Sequence, residues 1–130
     1  MHLLDTNILI YFFKNQGRVA EHFSCVSPDD IYISSVTLFE LYTGIAKSTN
    51  PEKRIKQLQQ LLAQIHIVTF DEKAAAIAAT IRADLETKGT PIGVLDVLIA
   101  SIALANNLSV VTHNTKEFSR IENLQLLDWY

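Results

Sequence analysis

His2-Leu3-Leu4-Asp5-Thr6-Asn7-Ile8-Leu9-Ile10 passes from a short apolar run directly into a helical pattern, with an acid at the junction. The helical spacing of apolar residues continues from about Asn7 to Lys14. The same step recurs along the chain. Ile31-Ser34 reads as a buried strand, and Ser34 or Ser35 caps a helix running through Glu40 to Lys47. Ile65-Phe70 is a β-branched run ahead of a long Ala-rich helix from Asp71 to Lys88-Gly89. After Thr90-Pro91-Ile92-Gly93 a helix extends to Asn107, and the strand Leu108-Thr112 follows it. Leu124-Leu127 is a candidate last strand. Further helices are expected over Arg18–Val26, broken by Ser27-Pro28-Asp29-Asp30, and over Pro51–Gln64, with Pro at its first position. Strands separated by helices pair in parallel through right-handed crossovers, so the order predicts an α/β sandwich. The strands are apolar on both faces, as helical cover on both sides requires.

Composition narrows the class. The chain has 130 residues, 48% hydrophobic and 19% charged, which suits one domain with its own core, over residues 1–130. One cysteine, Cys25, leaves no internal disulfide framework and no multi-cysteine metal site. No stretch has the apolar length of a membrane span, and Met1-His2-Leu3-Leu4-Asp5 lacks the basic start of a signal peptide. A cytoplasmic protein is the expectation. A net charge of −3 argues against holding nucleic acid by overall charge alone.

Sheets covered on both faces bind ligands beyond the carboxyl ends of their strands. Three acids stand at or near that edge, each among apolar neighbours: Asp5, Glu40 and Asp96. Each also has a plainer reading. Asp5 is a good N-cap for the helix that follows. Glu40 shares a helical face with Thr37, Gly44 and Lys47, so it pairs with Lys47 or joins other charges around a cation. Asp96 suits the first turn of its helix through the helix dipole. Their convergence is what raises the functional reading. Carboxylates packed together need a compensating cation, and a hard divalent ion with oxygen ligands supplies it. The chemistry implied is metal-assisted hydrolysis of a phosphate ester.

Asn114 follows the fourth strand where another carboxylate would complete the set, with Glu117 close behind. Thr6, Asn7 and Thr112 are candidates to orient the acids or a water, or to make local turn bonds. Lys47, Lys53, Arg54 and Lys56, set against Glu52, leave an excess of three positive charges that suits a phosphate backbone or a solvated helix face. No Gly-rich phosphate loop, zinc-type histidine spacing or Gly-x-Ser-x-Gly elbow is present. The histidines at 2, 22, 66 and 113 are scattered.

Several segments together resemble one family. Leu4-Asp5-Thr6-Asn7-Ile8-Leu9-Ile10 is similar to the opening of PIN-domain proteins, in particular VapC toxins of toxin–antitoxin modules. Ser34-Ser35-Val36-Thr37-Leu38-Phe39-Glu40-Leu41-Tyr42-Thr43-Gly44 is similar to the second motif of that family. Ile81-Arg82-Ala83 and Gly89-Thr90-Pro91-Ile92-Gly93, followed by Asp96, resemble the third. Val111-Thr112-x-Asn114-Thr115-x-Glu117-Phe118 and Leu127-Asp128-Trp129 match the tail. The resemblance implies a three-layer α/β/α PIN fold around a central, mostly parallel sheet of four to five strands. It implies an endoribonuclease whose pocket holds Mg²⁺, with Mn²⁺ as a substitute, and whose RNA is often a transfer RNA. Asp5, Glu40 and Asp96 take the places of the acidic triad, with Asp5 and Asp96 as the firmest metal ligands. It further implies a VapB-like antitoxin that blocks the pocket, and a homodimer or a toxin–antitoxin hetero-oligomer. The chain departs from the family pattern in reading Gly93-Val94-Leu95-Asp96 for Gly-Pro-x-Asp, and Asn114 for a fourth Asp.

Two other functional classes fit part of the sequence. A catalytically silent PIN domain acting as a binding module fits Asn114. A receiver-like phosphoacceptor domain would use Asp71, after the third strand, but the acidic pair and lysine of such domains are absent.

Overall fold

The computed structural model describes residues 1–130. Five strands form one sheet: β1 (His2–Leu4), β2 (Ile31–Ser34), β3 (His66–Val68), β4 (Ser109–Val111) and β5 (Leu126–Leu127). Their order is β3-β2-β1-β4-β5, and every neighbouring pair is parallel. The chain adds strands to one side of β1 as far as β3 and then crosses to the other side for β4. The switch in direction therefore falls between β1 and β4, the position where such sheets open a ligand crevice.

Seven α-helices and one 3-10 turn (Pro28–Asp30) complete the chain, the α-helices being α1 (Thr6–Phe13), α2 (Val19–Ser24), α3 (Ser35–Ala46), α4 (Pro51–Leu62), α5 (Glu72–Thr87), α6 (Val94–Ala105) and α7 (Thr115–Phe118). Successive strand residues feed opposite cores, as the two-residue period of a strand demands. Leu3 and Val110 enter a core with Ala74, Leu85, Ile99 and Phe118 from α5, α6 and α7. Leu4 and Val111 enter the other with Ile8, Leu9, Val19, Leu58 and Leu61 from α1, α2 and α4. The expected three-layer sandwich is present, and its sheet is parallel throughout.

The helix starts follow local chemistry. Ser34 rather than Ser35 caps α3, its hydroxyl accepting the Thr37 N–H at 3.0 Å. Asp71 caps α5 by accepting the Ala74 N–H at 2.9 Å, which accounts for that acid without a phosphoacceptor role. α6 starts at Val94, where the family pattern has proline, with Gly93 as its cap and the Val97 N–H bonded back to the Gly93 carbonyl at 3.1 Å. One expectation is corrected here. The third strand is shorter than Ile65–Phe70, and with His66 and Ile67 exposed at the edge it is not covered on both faces. α7, a single turn after Asn114, was not anticipated, because four residues carry no readable periodicity.

A candidate acidic active site

Asp5 leaves β1 at the crevice and serves as the N-cap of α1. One oxygen, Oδ1, accepts the Ile8 N–H at 3.0 Å, and the other, Oδ2, accepts the Thr112 hydroxyl at 2.6 Å. The two readings of this residue are thus compatible. Capping uses one lone pair and orients the carboxylate, and an ionised carboxylate has about four such positions. Thr112 itself accepts the Asn114 N–H at 2.9 Å, so a single hydroxyl ties the ends of β1 and β4 together.

Glu40 lies on α3 and turns toward α1. Its Oε1 is 2.6 Å from the Thr6 hydroxyl, which is 3.2 Å from the Thr37 hydroxyl, itself 3.3 Å from that of Ser34. A carboxylate only accepts, so Thr6 must donate its one proton to Glu40. That choice orients the row, with each hydroxyl donating toward Glu40. Ser34, Thr37, Thr6, Thr112 and Asp5 make up most of the buried polar side chains of the protein. Buried polar groups are tolerated where every member is bonded, and here the bonds all serve the placement of two carboxylates. The expected alternative, a Glu40–Lys47 pair, does not form; Lys47 stands exposed at the end of α3, away from any ion pair.

Asp96 sits in the first turn of α6 and, unlike Asp5, accepts no hydrogen bond from the protein. Burial, followed by the charges of Asp5, Glu117 and Glu40, pushes its carboxyl from an ordinary 3.8 up to about 6. Burial also raises Asp5, but the Thr112 and Ile8 bonds oppose it. The deeper acid is thus the better stabilised one, because its charge is solvated by fixed donors. Glu117 reaches the same crevice from α7, where its Oε2 accepts the Asn114 side-chain N–H at 3.2 Å. Asn114 therefore holds Glu117, and the fourth acid is supplied three residues later than the family pattern places it.

None of these four acids is in an ion pair with Lys, Arg or His. No three of them close into a ready-made ligand cage. The donor set is nonetheless all oxygen, and it leaves lone pairs on Asp5 and the whole Asp96 carboxylate uncommitted. This suits a hard divalent cation that keeps several waters and takes one or two carboxylates directly. Asn7 is exposed and makes no side-chain bond to the acids, in contrast to Thr6 and Thr112.

A model of the PIN domain matches residues 2–124. This chain belongs to the PIN-domain family. Among curated proteins, this PIN domain is 39% identical to a "tRNA(fMet)-specific endonuclease VapC" of Shigella flexneri, over 98% of the chain and 96% of the relative. It is 38% identical to "Ribonuclease VapC2" of Rickettsia felis, over 99% and 98%. Among solved structures, a DNA-bound VapBC of Salmonella typhimurium superposes with a TM-score of 0.92 at 37% identity, covering 99% of this chain and 98% of that one. Identity at this level over nearly the full length of both partners places the chain with the VapC members of the family. No helix is long and apolar enough to cross a membrane.

The basic candidates differ in position. Lys47, Lys53, Arg54 and Lys56 are all exposed, but only Arg54 lines a groove between α1, α3 and α4 that reaches Glu40. Lys14, which sequence reading passed over, lines the same groove. Its position at the end of α1, far in sequence from the other cations, gave no signal.

Proposed function

We propose that this PIN domain is the toxin of a toxin–antitoxin pair and acts as a Mg²⁺-dependent endoribonuclease, with a transfer RNA as its substrate. The observation that carries this reading is the meeting of Asp5, Glu40, Asp96 and Glu117 at the β1/β4 crevice without a protein cation among them. Asp5 and Asp96 would hold the metal directly, Mn²⁺ being a substitute for Mg²⁺, and Glu40 would contribute through coordination or a bound water. Such an ion, when bound, lowers the pKa of a water and offsets charge on a phosphoryl oxygen. The protein's part is placement. Thr112 and the Ile8 N–H hold Asp5 in one orientation, Thr6 holds Glu40, and Asn114 holds Glu117. Glu40 or Glu117 takes the proton released when water attacks the phosphodiester. Hydrolysis leaves a 5′-phosphate and a 3′-hydroxyl.

Lys14 and Arg54 guide the RNA backbone along the groove toward Glu40, and Lys47, Lys53 and Lys56 extend the basic surface. The same groove, with Ile10, Phe13, Leu41, Ile45 and Leu58 on its walls, accommodates an antitoxin segment whose basic side chain reaches Glu40. Phe39, Tyr42 and Val94, exposed near the acids, supply apolar surface for a second copy or for the antitoxin. The protein works in the cytoplasm as one domain over residues 1–130.

The decisive test is cleavage of purified transfer RNA by antitoxin-free protein in Mg²⁺, in Mn²⁺ and in EDTA. Cleavage is expected with either metal, and none is expected in EDTA or with Asp5→Asn or Asp96→Asn. Wild-type rates in either variant would end the assignment. A folded wild type that binds RNA without cutting it in either metal would favour the silent binding module.

A further inference from the structure

Next in sequence to Thr112 and Asn114, which hold two of the acids, begins an aromatic stack that has no part in the cleavage chemistry. The His113 and Tyr130 rings are stacked, with centroids 4.3 Å apart and an interplanar angle of 23°. Tyr11 meets Tyr130 edge-on at 4.8 Å and His113 at 6.1 Å. These residues come from α1, from the turn after β4 and from the segment after β5, so only the fold brings them together.

The stack is braced by its neighbours. Asp128 holds the His113 ring and the Tyr130 backbone, its Oδ2 lying 2.9 Å from His113 Nδ1 and its Oδ1 accepting the Tyr130 main-chain N–H at 2.9 Å. The Arg18 N–H donates to the Tyr130 carbonyl at 2.6 Å. Gly17, at φ +61°, approaches so closely that a Cβ there would stand 2.7 Å from that carbonyl and 2.8 Å from the ring. Both rings nevertheless remain partly in water, Tyr130 at 43% exposure and the His113 side chain at 46%. Rings held rigidly and left half in water are poor core and good stacking surface, because little freedom remains to be lost on binding.

The position of the stack says what would use it. His113 lies between Thr112, which bonds Asp5, and Asn114, which bonds Glu117. One ring of the stack and the groups that hold two of the acids thus lie on three consecutive residues.

We propose that His113 and Tyr130, steadied by Tyr11 and Asp128, form a stacking platform for one unpaired RNA base next to the scissile phosphate. The inference rests on the ribonuclease reading and adds a positioning subsite to it. Every base has a π-face, so such a platform fixes the register of a single-stranded segment at the acids.

The test walks a single abasic ribose along a short single-stranded RNA that the wild type cuts. At one position beside the cut the missing base is expected to raise KM roughly 5- to 100-fold, the usual range for one stacked base. Tyr130→Leu should raise KM for the intact RNA by a similar factor, with kcat within about threefold, and should abolish the extra abasic penalty. Tyr130→Trp should restore wild-type behaviour. An unchanged abasic penalty in Tyr130→Leu, or unchanged KM in both Tyr130→Leu and His113→Ala, overturns the platform. A second measurement does not depend on cleavage. In the full chain, adenosine monophosphate should shift the His113 and Tyr130 ring resonances, and ribose 5-phosphate should not. Equal shifts with both overturn the platform. If the wild type fails to cut RNA yet responds only to the nucleotide, the ribonuclease reading falls and the platform stands.

Discussion

Asp96→Asn should make the metal-free protein more stable while abolishing its activity. Asp96 is the only one of the four acids without a hydrogen-bond partner, and its carboxyl is displaced from 3.8 to about 6 by burial and by the charges around it. That displacement corresponds to about 3 kcal/mol between the charged and neutral forms. The side chain is only half-buried, and water screens the cost to about 1 kcal/mol. Asparagine keeps the shape and removes the charge, so in EDTA at pH 7.5 the variant should melt roughly 3–5 °C above wild type. The pH dependence follows from linkage. Because the folded protein binds the Asp96 proton more tightly than the unfolded chain, wild-type stability falls as pH rises from about 4 to about 6. The advantage of the variant should therefore be full above pH 7, shrink through pH 6 and vanish near pH 4. Mg²⁺ should reverse the order by stabilising wild type and leaving the variant unmoved. Loss of cleavage should reach at least ~100-fold. Thermal melts in EDTA across pH 4–8, repeated in Mg²⁺, read all of this. A variant no more stable than wild type at pH 7.5, or one whose advantage persists at pH 4, would refute the view that burial and repulsion at the crevice destabilise the Asp96 charge.

Thr112→Val should leave Asp5 and the Asn114 N–H each short of a partner, costing about 1–3 kcal/mol in urea melts and lowering kcat more than it raises KM. Thr6→Val should free Glu40 from its donor; cleavage should fall at least ~10-fold, and the loss of only one hydroxyl should keep the fold intact by circular dichroism. Gly17→Ala places a methyl against the Tyr130 carbonyl at a positive φ and should cost about 1–3 kcal/mol by thermal unfolding. Leu58, 1% exposed on the buried face of α4, should cost about 2–5 kcal/mol as Leu58→Ala, measured by urea unfolding.

The acids at 5, 40 and 96 were legible because each is out of character for its neighbours: a carboxylate in an apolar segment needs a cap, a partner or a cation. The hydroxyls of Thr6 and Thr112 were legible only as candidates. Their partners, Glu40 and Asp5, lie on other elements, and a sequence carries no sign of which side chain waits across a crevice. For the same reason Lys47 looked like a partner for Glu40, being two helical turns away on one face, while Thr6 was the actual one. Glu117 was ambiguous until α7 was seen to turn it toward Asp96, with Asn114 spending its amide on holding it.

Sequence by itself determined the alternation of elements, the helix caps and the family. Those depend on periodicity, on groups within four residues of one another, and on motifs quoted from contiguous stretches. Tertiary structure decided the strand order, and with it the crevice between β1 and β4 where residues 5, 40, 96 and 117 meet. It also decided that residues 11, 113 and 130 make one aromatic stack. Both depend on how parallel strands are ordered in the sheet, and that order is set by burying two cores at once rather than by any local preference along the chain.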